Sequence, residues 1–116
     1  MSVPVALLNF FGRRATRVAR ILRDGESLDI GRSLGVVGSP GHTPDHLCFF
    51  LEDERILFAG DLFRNVRGLE MFPRNAWSES ESKASADRAL ALEPAMICPG
   101  HGRVWRAGGD ARPGEQ

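Results

Sequence analysis

The stretch GSPGHTPDHLCFF, residues 38–50, holds two of the three histidines in this 116-residue chain, His42 and His46, four positions apart. Asp61 closes the run ILFAGD, and the third histidine, His101, stands in the glycine-flanked PGHG. Imidazole and carboxylate donors together suit zinc, manganese or iron. These residues therefore build a metal centre if the fold gathers them, and the flanking glycines let main chain approach a metal or substrate closely. Each also has a plainer reading. His46 alone fits a hydrogen-bonded loop histidine, and Asp61 could cap the turn that follows it. Cys98, three residues before His101, is a conceivable thiolate ligand, but its place in the apolar run AMIC favours a packed core thiol. Cys48 reads in the same way.

The elements that must position these groups follow from pattern. HLCFFL and RILFAG read as two strands around the acidic turn Glu52-Asp53-Glu54. With that turn centred near Asp53, an antiparallel hairpin pairs His46 with residue 60 and returns His46 and Asp61 to one end of a sheet. LGVVG, residues 34–38, is a short strand that delivers the chain into the histidine loop. Ser78 and Glu81 have capping-box spacing, which predicts a helix over residues 79–92 packing through Ala86, Ala89 and Leu90. Pro94 ends it, AMIC forms a strand, and PGHG forms a loop. Upstream, Phe11, Ala15, Val18 and Leu22 fall on one helical face, while VARIL, the Asp24-Gly25 turn and SLDI suggest strand, turn and strand. Residues 62–77 are expected to be irregular. The order of elements describes an α/β or α+β arrangement, a mixed sheet with helices packed on it.

Taken in order, PGHTPDH, ILFAGD and ICPGHG resemble the second half of the metallo-β-lactamase fold, the group that includes hydroxyacylglutathione hydrolases, lactonases, β-lactamases and some nucleases. The resemblance spans roughly residues 18–104. It implies half of an αββα sandwich and hydrolysis by a metal-bound hydroxide, acting on an ester, thioester, lactone or related bond, with one or two ions of zinc, or iron or manganese in its place. It also implies His46 as a ligand of a first metal, Asp61 as the bridging carboxylate and catalytic group, and His101 as a ligand of a second metal. His42 is assigned by the same resemblance to the surrounding loop. The H-x-H-x-D-H motif of the family's first half does not occur in this sequence.

Composition bounds the alternatives. The length suits one domain, taken as residues 1–105, with 106–116 expected to be a disordered tail because of Gly108-Gly109 and Pro113-Gly114. Net charge is zero, which argues against a broad electrostatic footprint for nucleic acid or an anionic membrane. Two cysteines without C-x-x-C spacing point to reduced thiols and a cytoplasmic setting. The acid-free, arginine-bearing first 23 residues superficially resemble an organelle presequence, but only one of the 15 basic residues is a lysine, so the arginine bias is global. Arg64, Arg67 and Arg74 follow Asp61, where they could hold an acidic group or remain solvated. Three readings share this fold: a hydrolase component acting on a small-molecule substrate and completed by a separate N-terminal half; a non-catalytic module that self-associates and binds at most one metal weakly; and a segment of a longer enzyme. The first predicts an apolar sheet face that needs a partner, and the partners expected are a complementary N-terminal half or a second copy in a homo-oligomer.

Overall fold

The structure is a computed structural model and describes residues 17–71 and 77–109. Seven strands form one mixed sheet: β1 (Ser27–Asp29), β2 (Ser33–Gly38), β3 (Leu47–Leu51), β4 (Ile56–Asn65), β5 (Leu69–Met71), β6 (Met96–Gly102) and β7 (Trp105–Arg106). One helix is described, α1 (Glu79–Ala91). Strands β1, β2, β3, β4, β6 and β7 lie side by side in that order, and β5 pairs with β4 off this path. All pairings are antiparallel except β4 with β6, which is parallel and closed by the crossover through α1. This is the α+β architecture expected from the pattern.

The β3–β4 hairpin forms where the apolar runs place it. Its register pairs Phe49 with Phe58, Phe50 with Leu57 and Leu51 with Ile56. The turn therefore centres between Asp53 and Glu54, one step on from a turn centred at Asp53, and the strand direction carries His46 towards Asp61 rather than towards Gly60. Arg55, at φ 58°, absorbs the extra turn residue in a left-handed conformation.

Helix α1 begins at a cap legible in the sequence, where Ser78 Oγ accepts the Glu81 N–H at 3.2 Å. Its packing face contains the expected Ala86 and Ala89 but not Leu90. Ser82, Ser85, Ala86 and Ala89 are buried, at i, i+3, i+4 and i+7, whereas Leu90 is 42% exposed. A face of small residues lets the helix come close to the sheet and to the loop that follows β2. Ala86 and Ala89 join Cys48, Leu57, Ala59, Leu62, Phe63 and Ile97 in the core. Leu57 and Ile97 are completely enclosed, each contributing roughly 1.5–3 kcal/mol relative to an exposed side chain.

The opposite sheet face is less covered. Phe58, in the middle strand of the sheet, is 43% exposed, and its neighbours across the ladders, Phe49 and Cys98, are only partly buried. Cys98 therefore lies off the enclosed core, unlike Cys48.

Several boundaries also depart from the sequence pattern. Residues 17–22 are neither helix nor strand, and residues 11–16 of the expected helix lie outside the described residues. Strand β4 runs through Asp61 to Asn65 and turns back as β5, so residues 62–71 are not irregular. PGHG belongs to β6 instead of a loop, because it pairs with the extended β4, His101 opposite Arg64 and Gly102 opposite Asn65. Arg106 lies in β7, and the Ala107 N–H bonds the Ala95 carbonyl, so order continues past residue 105; residues 110–116 are outside the described residues. Among the described residues, no helix is long and apolar enough to cross a membrane.

Candidate functional site

Asp61 sits inside β4 at an irregularity. Gly60 adopts φ +52°, and the β4–β6 register shifts on both sides of it. The glycine is required twice over, since a Cβ there would meet His46 Nε2 at 2.9 Å as well as a conformation that L side chains rarely adopt. On the neighbouring strand, a Cβ at Gly100 would come to 2.8 Å from the Gly60 carbonyl oxygen and 3.1 Å from Asp61 Oδ1. The two glycines let β4 and β6 close on each other at the point where the carboxylate stands.

The carboxylate lies between two imidazoles. His101 Nε2 is 3.3 Å from Asp61 Oδ1, and His42 Nε2 is 3.5 Å from Asp61 Oδ2. His46 takes a different position. Its Nε2 is 3.1 Å from the Asp61 main-chain nitrogen and accepts that N–H, while its Nδ1 is 2.7 Å from Ser39 Oγ. Of the residues expected at the site, the structure thus groups Asp61 and His101 and places His46 behind them, on the main chain. His42, assigned to the surrounding loop from sequence, is the second ring facing the carboxylate. Sequence offered one signal for it: His42 follows a glycine in the PGHG-like arrangement that also surrounds His101.

His42 is carried by a loop pinned to α1. Ser85 Oγ donates to the Pro40 carbonyl at 2.7 Å, the Ser78 N–H bonds the Gly41 carbonyl at 2.9 Å, and the Trp77 N–H bonds the His42 carbonyl at 3.1 Å. Gly41 packs so tightly that a Cβ would fall 2.1 Å from Ser82 Oγ and 2.5 Å from Ser82 Cα. The small face of α1 thereby holds the site loop as well as closing a core.

Exposure is graded across the site. The side chains of His42, Asp61 and His101 are 26%, 39% and 57% exposed, so the site opens on the His101 side. Burial pushes the His46 pKa below its ordinary value, with the Asp61 charge opposing the shift. Beneath it, burial pushes the Cys48 thiol up to about 11. Cys98 is raised as well, by burial with Arg106 opposing. Neither cysteine joins the site, and Arg64 pairs with Glu70 at 2.5 Å. Arg74 lies outside the described residues, and Trp77 is exposed whereas Trp105 packs against the core.

The donor set fits a metal centre of a particular kind. Among the described residues, no three His, Cys, Asp or Glu side chains converge on one common point. Instead each carboxylate oxygen faces one imidazole nitrogen at 3.3–3.5 Å. His42, Asp61 and His101 are the residues that would hold a metal here, with further ligands from elsewhere.

Comparison with known proteins identifies the family. The family model of the metallo-beta-lactamase superfamily matches residues 4–101. The thioesterase pkgB of Emericella nidulans is 38% identical over 76 residues, covering 62% of this chain and 20% of its own length. A metallo-beta-lactamase family protein from Thermus thermophilus superposes with a TM-score of 0.66 at 27% identity, over 81% of this chain and 33% of that one. The protein TTHA1623 in a di-iron-bound form superposes with a TM-score of 0.62 at 28% identity, over 90% of this chain and 52% of its own. This chain thus spans about a fifth of the length of the thioesterase. With a family match across most of its residues and the same fold in its structural neighbours, the chain belongs to the metallo-β-lactamase superfamily.

Proposed function

We propose that this chain supplies one side of a metal-dependent hydrolase centre, holding metal through His42, Asp61 and His101 and acting on a thioester or related acyl bond. The observation that carries the reading is the Asp61 carboxylate with one oxygen toward each imidazole. When bound, zinc, or iron as in the di-iron relative, supplies Lewis-acid polarisation of a carbonyl and activation of water. The chain's own residues do the rest. Asp61 would hold the metal together with His42 and His101, and the two rings set the spacing about the carboxylate. The graded exposure lets a small-molecule substrate approach past His101. The thioester class rests on the pkgB relative's name.

The remaining ligands come from a complementary first-half segment or a second copy of this chain, packed against the face that bears Phe58. An exposed phenylalanine in a central strand supports such cover. Two unbridged cysteines support a reducing, cytoplasmic setting.

Elemental analysis of the purified chain with added zinc tests the reading, run beside Asp61→Ala and His42→Ala and followed by hydrolysis of a synthetic acyl thioester. Bound zinc in the parent chain that is lost in both variants is the expected result. Absence of zinc in the parent chain under excess metal would overturn metal binding by this chain alone. Metal without thioester hydrolysis would overturn the assigned activity.

A further inference from the structure

We propose that His46 is a positioning residue for Asp61, anchoring its main chain through a fixed imidazole tautomer, and is not itself a metal ligand. The inference deepens the metal-centre reading above, on which its effect on metal affinity rests; the hydrogen bonds that define it do not depend on that reading.

Strand β4 loses its regular ladder where Asp61 stands. The described pairs with β3 end at Phe49 opposite Phe58, and Gly60 turns the strand out of extended geometry. The Asp61 N–H, which a regular ladder would direct to a carbonyl, goes to His46 Nε2 at 3.1 Å. A main-chain nitrogen is always the donor, so Nε2 is the acceptor and the ring proton lies on Nδ1. Nδ1–H then donates to Ser39 Oγ at 2.7 Å.

Ser39 completes the assignment. Its Oγ also receives the Cys48 thiol at 3.2 Å and donates to the His46 carbonyl at 3.3 Å. With Nε2 fixed as acceptor by the Asp61 N–H, Ser39 Oγ takes the Nδ1 proton, while the Cys48 thiol lies within reach of both Ser39 Oγ and the Ala59 carbonyl, the latter at 3.5 Å. The Ser39 N–H bonds the same His46 carbonyl at 2.9 Å, fixing the main chain beneath it. Ser39 and Cys48 are almost wholly enclosed. Neither ring nitrogen of His46 is therefore available to a metal without dismantling a closed set of bonds. What the ring controls is the position of the Asp61 main chain, and hence where the carboxylate stands between His42 and His101.

The test has two arms. In metal-free full chain, long-range 1H–15N spectra assign the tautomer directly. The expected result is protonated Nδ1 and unprotonated Nε2 on His46, with the Asp61 amide exchanging at least about tenfold more slowly than in His46→Ala. A ring protonated at Nε2 instead would overturn the proposal, and this readout needs no variant to fold. In the second arm, zinc affinity is measured by chelator competition and the cobalt form by its ligand-field spectrum. His46→Ala is expected to weaken zinc about 10- to 100-fold at unchanged stoichiometry and cobalt spectrum, with partial loss in Ser39→Ala and recovery in His46→Gln, which retains an acceptor. Loss of stoichiometric zinc in both His46→Ala and His46→Gln, with a changed cobalt ligand-field spectrum, would make His46 a ligand and overturn the proposal. A parent chain that takes up neither metal overturns metal binding by this chain alone, while the first arm still decides the role of His46.

Discussion

His42 and His101 flank one carboxylate but are held by different kinds of structure. His42 rides on a loop whose carbonyls at Pro40, Gly41 and His42 are each bonded by the α1 region, and its ring is largely sheltered. His101 rides on β6, whose main chain is set tightly against β4 by Gly100 and Gly102, while its ring is 57% exposed. The contrast teaches that the shape of one flank is built into the stability of this domain. The other flank presents its imidazole to solvent on a fixed main chain, so its side chain contributes chemistry with little contribution to folding.

The largest test of that contrast is Gly41→Ala. Its Cβ would overlap the main chain of Ser82, and the helix cannot retreat without releasing the His42 loop. We expect a loss of about 3 kcal/mol in urea unfolding. A loss near zero would show that the loop is not clamped.

A second test lies beneath the sheltered flank, at Cys48. The folded state keeps this thiol protonated up to about 11, above its ordinary value of 9.0, whereas the unfolded chain ionises first. Its contribution is therefore intact below pH 9 and is lost as pH rises toward 11, by roughly 2–3 kcal/mol across the window. Denaturation measured against pH should show that decline in the parent chain and a flatter curve in Cys48→Ala. Equal slopes would mean that the thiol is not enclosed in solution.

The smallest effect is expected at His101. In metal-free protein, His101→Ala should change stability by no more than about 0.5 kcal/mol, as for a side chain that is mostly exposed. A shift several times larger would place His101 on the same footing as His42 and dissolve the distinction.

What was legible from sequence was chiefly local. The β3–β4 hairpin, the Ser78 cap and the strand before the histidine loop depend on residues a few positions apart, and the structure retains them. The misplaced features depend on distant contacts. PGHG becomes strand only because β4 extends beside it, and β4 extends because β5 folds back on it. The buried face of α1 includes Ser82 and Ser85 instead of Leu90 because its partner is the loop at Pro40 and Gly41, far away in the chain. Which histidine of the HTPDH run faces the carboxylate follows from the same long-range packing and from the one-step difference in hairpin register. Which residues carry imidazole and carboxylate was thus legible by type and spacing, whereas the direction each ring points was not.

The parallel pairing of β4 with β6 joins Ile56 to Met96, 40 positions on. Closing a loop of that length costs chain entropy before any contact repays it. Emerging from a ribosome, His42, His46 and Asp61 are all exposed before His101 exists, and only the arrival of β6 sets the second imidazole beside the carboxylate. The order of synthesis therefore leaves the Asp61 carboxylate with at most one imidazole beside it until the sheet has closed.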